Sequence, residues 1–543
     1  MFFDYSVFCA CVLIASASVL RDNDFYRLDI VHYNDFHDRF EETSVDFPIC
    51  KTNDNKCVGG FARLYHEIKT LLKEKPDALV LDAGDTYQGT YWYTLLKWNI
   101  TQKFINLIPN DVHALGNHEF DDGIPGLVPY LKALKAPVVA ANLLSPETSP
   151  LHGLYQPHII VERKGKKIGI IGLITEATKK NPYFLQKSSR AEGVTFLDPI
   201  PIVKEQAQLL AAKNVDIIVV LSHCGLDMDI EMSKQVGENI DIIVGGHSHS
   251  LLWNGKAPSQ ETVSGPYPML VESDAKPGHK VLIVTASAYT KYLGNVSVYF
   301  DPQGVMQYYE ATPIFLNRSI PEDPQMKKLL EPYVKKLHNM VGEVIGFANN
   351  DLLMDECASR ECTLGNFIVD AFLDAANTSY PSGLPNIAFT QRGTIRGSIS
   401  KGDITRGALI NMSPFTNQIV TLVVPGRYIL EALSKSVANP WTKKPYSGPG
   451  TPLVSGIKVK INTTSTEIVK AAVTSDDEIR ELDPDKEYQL TTIDFLAFIA
   501  FPNFKKYGRD IKVVGKDAEI IENYVRKCSP ITPYLDNRLT LVS

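Results

Sequence analysis

Residues 28–37 read Leu-Asp-Ile-Val-His-Tyr-Asn-Asp-Phe-His: a short, mostly apolar run, Leu28–Tyr33, followed at once by Asn34, Asp35 and His37. Apolar residues on consecutive positions predict a strand buried on both faces. The same pattern recurs along the chain. Ala78–Leu81 ends in Asp82-Ala83-Gly84-Asp85, and His113-Ala-Leu leads to Gly116-Asn117-His118-Glu119. Ile217–Leu221 ends in Ser222-His223, and Ile242–Val244 ends in Gly245-Gly246-His247-Ser248-His249. Further apolar runs at Val138–Ala141 and Ile168–Ile174, with helical patterns at Phe61–Lys75 and Ile202–Lys213 between them, predict a layered α/β domain from Leu28 to about Phe300. Ligands of α/β sheets bind at the carboxyl ends of the strands. Five strand ends are therefore expected to deliver Asp, His and Asn to one edge of one sheet.

Carboxylate and amide oxygen mixed with imidazole nitrogen suits borderline divalent ions such as zinc, manganese or iron. A carboxylate can bridge two ions, and the pair can turn a shared water into a nucleophile. Asp85 is the natural bridge. Asp35 and His37 are expected at one ion, with His249 completing that site, and Asn117, His223 and His247 at the other. The glycines beside them let the backbone turn sharply. His118 follows a ligand directly and is free to contact a phosphoryl oxygen or protonate a leaving group. Asp121, three residues on, can orient that imidazole. One such fragment is weak; five in order, each after a predicted strand, point to two-metal chemistry.

A second region begins near Asn317. Ile320-Pro-Glu-Asp-Pro is a stop-and-start signal. Met326, Leu329, Leu330, Val334, Leu337 and Met340 then recur at helical spacing, interrupted by Pro332, where a kink is expected. The organisation read from the sequence is a leader over 1–20, a first domain over 21–317, a connecting helix over 318–340 and a mixed second domain over 341–543. A length of 543 residues fits this count, at roughly 150 residues per domain.

Lys and Arg number 55 against 62 Asp and Glu, a net charge of −7, which argues against nucleic acid as the main partner. The apolar run Val7–Leu20, with a small-residue cleavage motif at Ala15-Ser16-Ala17, is the length of a signal-peptide core. Its n-region departs from the pattern in carrying Asp4 and no Lys or Arg. Six Asn-x-Ser/Thr sequons (Asn99, Asn295, Asn317, Asn377, Asn411, Asn462) and two close cysteine pairs, Cys50/Cys57 and Cys357/Cys362, are consistent with an oxidising compartment. The chain ends in Leu-Thr-Leu-Val-Ser, so no C-terminal anchor signal is expected. A soluble extracellular product is the expectation.

These stretches resemble the metallophosphoesterase superfamily and, within it, the 5′-nucleotidase/apyrase family. The resemblance is carried by His32-Tyr-Asn-Asp-Phe-His-Asp-Arg-Phe-Glu, Leu81-Asp-Ala-Gly-Asp-Thr-Tyr-Gln-Gly-Thr, Ala114-Leu-Gly-Asn-His-Glu-Phe-Asp and Val244-Gly-Gly-His-Ser-His. It implies an N-terminal metallophosphoesterase domain joined by a helix to a C-terminal α/β nucleotide-binding domain, with domain rotation carrying substrate to the metals. It implies Asp35, His37, Asp85, Asn117, His223 and His247 as ligands of two divalent ions, zinc first among them, with calcium, magnesium or manganese also able to support activity. It implies His118 and Asp121 as a catalytic dyad, while His249 stands where relatives have Asn or Gln. In the second domain it implies Arg396 for phosphate and Phe415 for base stacking. Ala358 stands where a phosphate-binding Arg is often found, with Arg360 as a substitute, and Gln391 replaces an Asn. The last motif is altered, leaving Phe495 or Phe504 as the second ring, with Phe495 preferred, and Asp510 as the ribose acceptor. The implied activity is a secreted apyrase acting on ATP and ADP, similar to those in saliva of blood-feeding arthropods and suppressing ADP-driven platelet aggregation. The alternatives are a 5′-nucleotidase converting AMP to adenosine, and a binding protein on a retired enzyme scaffold.

Overall fold

The computed structural model describes residues 25–44, 50, 56–180, 193–259, 261–415, 417–437, 450–462, 464–465, 467–475 and 478–542. The apolar run Val7–Leu20 and most of the Pro440–Pro452 loop lie outside them. Among the described residues no helix is long and apolar enough to cross a membrane.

The first domain is built on two sheets rather than one. In the first, Tyr26–Tyr33, Leu79–Asp82, Val112–Ala114 and Val138–Val139 run parallel, with Tyr292–Phe300 and Met306–Ala311 antiparallel at one side. In the second, Lys166–Ile174, Ile217–His223, Ile242–Gly245 and Lys280–Thr285 run parallel between two antiparallel edge strands, His158–Arg163 and Met269–Glu272. Leu28, Ile30 and Leu81 of one sheet share a single buried core with Ile170, Val219 and Ile243 of the other. This corrects the expectation that the chemistry-bearing strand ends share one sheet. A strand buried on both faces has the same apolar run whether a helix or a second sheet covers it, so the pattern cannot count sheets. Both sheets nonetheless present their carboxyl ends to the same place.

Pro324–Val341 forms one helix running through Pro332, with Asp323 accepting from Gln325 N and Met326 N as its N-cap. Met326, Leu330, Leu337 and Val341 bury its inner face against the first domain. The second domain carries a five-stranded sheet in the order Pro452–Ser455, Asn386–Gln391, Glu487–Ile493, Gln418–Pro425, Arg509–Lys516. Helices Thr363–Ser379 and Gly426–Ser436 pack on it. Disulfides join Cys50 to Cys57 and Cys357 to Cys362, the two pairs expected from spacing. Cys224 is free and packs half-buried against the first core.

One sequon is closed by the fold. Asn411 is 2% exposed, and its Oδ1 accepts from Tyr91 N at 2.9 Å across the domain boundary. Peptide mapping of protein made in a eukaryotic secretory pathway is expected to find Asn411 bare and exposed Asn99 available; a glycan on Asn411 would contradict this packing.

Candidate metal centre and catalytic cleft

Five strand ends meet above the two sheets. Asp35, His37 and His249 each bring one donor atom within 4.8 Å of the others, and Asp85, His223 and His247 do the same. In the first group His249 Nε2 lies 3.1 Å from both Asp35 Oδ1 and His37 Nε2. Asp85 Oδ2 joins the groups, 3.0 Å from His223 Nε2 and 3.8 Å from His37 Nε2. Asp35, His37, Asp85 and His223 are buried. Sequence reasoning placed His249 with Asp35 and His37 and Asp85 at the centre, and the geometry brings these residues together in that way.

The donors fit divalent cations on three counts. His37 Nδ1–H faces Gln88 O at 2.5 Å and Tyr87 O at 3.0 Å, and His223 Nδ1–H donates to Ala83 O at 2.6 Å, so each Nε2 is turned inward toward the cluster. Asn117 Oδ1 is buried without a hydrogen bond, and Asp35 Oδ1 and His223 Nε2 face only other donor atoms of the cluster, at 3.1 and 3.0 Å, without an aligned hydrogen bond, an arrangement native proteins rarely leave uncompensated. Five of these residues, Asp35, His37, Asp85, His247 and His249, hold positive φ between 48° and 76°, strain of the kind that clusters at functional sites. The protonation balance agrees. Burial works against ionising Asp85, yet His223 and His118 outweigh it and hold the carboxyl well below its usual range. Burial likewise opposes charge on His223, and Asp85 reverses that and raises it. Asp85 thus favours positive charge on the Nε2 side of His223, a place that a proton or a cation can take.

Backbone packing around Asp85 leaves no room for side chains. A Cβ on Gly116 would sit 2.1 Å from Asp85 Oδ1, and one on Gly84, at φ +88°, would sit 2.6 Å from Gly116 N. The loops carrying Asp85 and Asn117-His118 therefore touch main chain to main chain.

His118 is the junction with the second domain. Its Nδ1 lies 2.7 Å from Asp121 Oδ2, its backbone N–H donates to Asp85 Oδ1 at 2.9 Å, and its Nε2 is 3.3 Å from Arg396 Nη2. Burial alone would lower its pKa, but the carboxylates of Asp121 and Asp85 raise it instead. The Phe415 ring stacks on the imidazole at 5.6 Å and 26°, and the Arg396 guanidinium sits 4.8 Å above Phe415. A cation and an aromatic from the second domain thus face the first domain's metal-type cluster.

The other second-domain candidates are placed differently. Gln391 Nε2 donates to Ser436 Oγ at 3.1 Å. Arg360, in the loop closed by Cys357–Cys362, is exposed and pairs with Glu356 just before it. Phe504 is fully buried core, whereas Phe495 is half-buried at the start of a π-helical turn, Leu496–Ala500. The fold does not bring Asp510 to the cleft. Strand Arg509–Lys516 pairs antiparallel with Gln418–Pro425, setting Lys516 opposite Gln418 and Arg509 opposite Val423. Val423 is five residues, about 17 Å, along the strand from Gln418, so Arg509 and its neighbour Asp510 lie toward the end far from Phe415. Its carboxylate pairs with Arg509 and lines a separate hollow with Tyr380, Gln489 and Lys512.

Two residues escaped the sequence reading. Tyr289, at φ 64° between Ser287 and Thr290, which also hold positive φ, packs its ring against His37 and His249, with the Arg39 guanidinium 4.6 Å from its centre. No motif marks it. Glu119 stands inside the Gly-Asn-His-Glu motif, directly after His118, and its spacing alone carries no signal.

Metal-type donors gathered at the ends of two stacked sheets are the arrangement of the metallophosphoesterase fold. The calcineurin-like phosphoesterase model matches residues 28–251, and the model of the 5′-nucleotidase C-terminal domain matches 344–506. The chain is 38% identical to an apyrase of Tabanus yao over 95% of its own length and 94% of the relative. It is 36% identical to a 5′-nucleotidase of Bos taurus over 76% of its length and 72% of the relative. The crystal structure of a 5′-nucleotidase precursor from Thermus thermophilus superposes with a TM-score of 0.85 at 30% identity, covering 95% of this chain and 99% of that one. The chain belongs to the 5′-nucleotidase/apyrase family and is a nucleotide phosphohydrolase whose fold implies a divalent metal.

Proposed function

We propose that the protein is a secreted apyrase that removes the terminal phosphate of ATP and ADP at a two-metal centre, zinc being the favoured ion, and so suppresses platelet aggregation driven by ADP. The observation that carries the reading is the pair of donor clusters joined by Asp85 Oδ2, with His118 and Arg396 meeting beside them. Asp35, His37 and His249 would hold one cation, Asn117, His223 and His247 the other, and Asp85 both. When bound, the pair supplies a nucleophile at neutral pH and neutralises phosphoryl charge. His118, oriented by Asp121, faces the phosphoryl group and stabilises the charge that develops there. Arg396 offers a forked cation to the same phosphate, and Phe415 a flat apolar face to the base. Export is supported by the apolar N-terminal run and the two disulfides.

The test is phosphate release from ATP, ADP and AMP in parallel, after chelation and re-addition of defined divalent ions. Release from ATP and ADP that vanishes on chelation and returns with metal is the expected result. Release from AMP alone would make the protein a 5′-nucleotidase, and activity surviving complete chelation would overturn the metal mechanism.

A further inference from the structure

Glu119 is 1% exposed, and its carboxylate accepts five hydrogen bonds. Oε1 receives Thr86 N at 2.7 Å, Thr86 Oγ1 at 2.8 Å and Tyr87 N at 3.1 Å. Oε2 receives Asp85 N at 3.0 Å and Gly116 N at 2.6 Å. Four of the five donors are backbone amides, and they come from two loops. One carries Asp85, held at φ 56°; the other carries Asn117 and His118. The exchange is reciprocal, because Asp85 Oδ1 accepts from His118 N at 2.9 Å. Two buried carboxylates thus stitch together loops that no secondary structure joins at this point. The glycines that let the loops touch supply no side chain to fix their register.

A carboxylate ringed by backbone amides resists displacement, since each amide left without it would be a buried unsatisfied donor. Asp85 gains nothing from its own backbone preference, because a non-glycine residue at positive φ is strained. What holds its carboxylate between the two histidine groups is the grip on its N–H and on the N–H groups of the next two residues.

We infer that Glu119 is a positioning residue for the metal pair: by clamping the Asp85 loop to the Gly116 loop it sets the bridging carboxylate, Asn117 and His118 in register. The inference rests on the two-metal reading of the site. It adds that affinity for the cations depends on a residue that touches neither of them.

The experiment compares wild type, Glu119→Gln and Glu119→Asp as full-length protein, with bound zinc and manganese counted by mass spectrometry after competition with a chelator. Gln keeps the shape but replaces one acceptor with a donor. Asp keeps the charge but is one methylene too short to reach both loops. Both variants are expected to bind the ions about 10–100-fold more weakly than wild type, the usual effect of losing an outer partner of metal ligands. With metal in excess, kcat on a small phosphate monoester is expected to fall while KM stays within about threefold, the sign of misplaced machinery rather than lost substrate contact. Wild-type metal affinity in either folded variant overturns the inference. If Glu119→Gln does not fold by circular dichroism, Glu119→Asp decides. A wild-type protein that binds no metal would instead overturn the two-metal reading, so the two failures are distinguishable.

Discussion

Asp85→Asn is expected to leave a folded protein that retains fewer than two ions and hydrolyses nucleotide more than about 10³-fold more slowly, a loss beyond the 10–100-fold typical of outer partners. The asymmetry of the site is the reason. Asp85 Oδ1 is engaged by His118 N, a bond an amide oxygen can still accept. Oδ2 is the atom between the groups, 3.0 Å from His223 Nε2 and 3.8 Å from His37 Nε2, and in the variant an NH2 would point at both. The substitution therefore keeps volume and one hydrogen bond while turning a shared anion into a donor. Metal counting and phosphate release on the same sample check the result. Two ions retained, with activity within tenfold of wild type, would show that Asp85 is not the bridge.

The metal-type side chains that meet in the cleft were legible in the sequence because their signal is local. Each lies within a few residues of a run that can only be a buried strand, and glycines mark the sharp turns around Asp85, Asn117 and His247. The number of sheets was not legible, since Leu28–Tyr33 and Ile217–Leu221 read alike although they sit on opposite sheets. The position of Asp510 was not legible for a related reason. The resemblance implies Asp510 as ribose acceptor from its place after Phe504, but the pairing of Lys516 with Gln418 sets it toward the far end of the strand. A register is a property of two segments, and one segment cannot announce it. Tyr289 and Glu119 were missed because backbone sets their places: positive φ at Ser287, Tyr289 and Thr290 for one, four backbone amides around the carboxylate of the other.

The second large effect concerns the seam between domains. His118→Ala is expected to lower kcat by about 10²–10⁴-fold, the range for a positioned proton-transfer group, with bound metal unchanged because the imidazole lies outside both donor groups. Arg396→Ala is expected to cost about 10²–10³-fold in kcat/KM, the range for one preorganised donor at a developing charge. The double variant discriminates between two ways of arranging these groups. If they met the substrate independently, the losses would multiply. They touch at 3.3 Å and both contact the Phe415 ring, so each fixes the other's position. Neighbours that share a contact are not additive. The double variant is therefore expected to fall no more than about tenfold below the worse single one, with the remainder appearing as coupling. Fully multiplicative losses would show that the seam is a packing contact and that Arg396 and His118 act on different parts of the substrate.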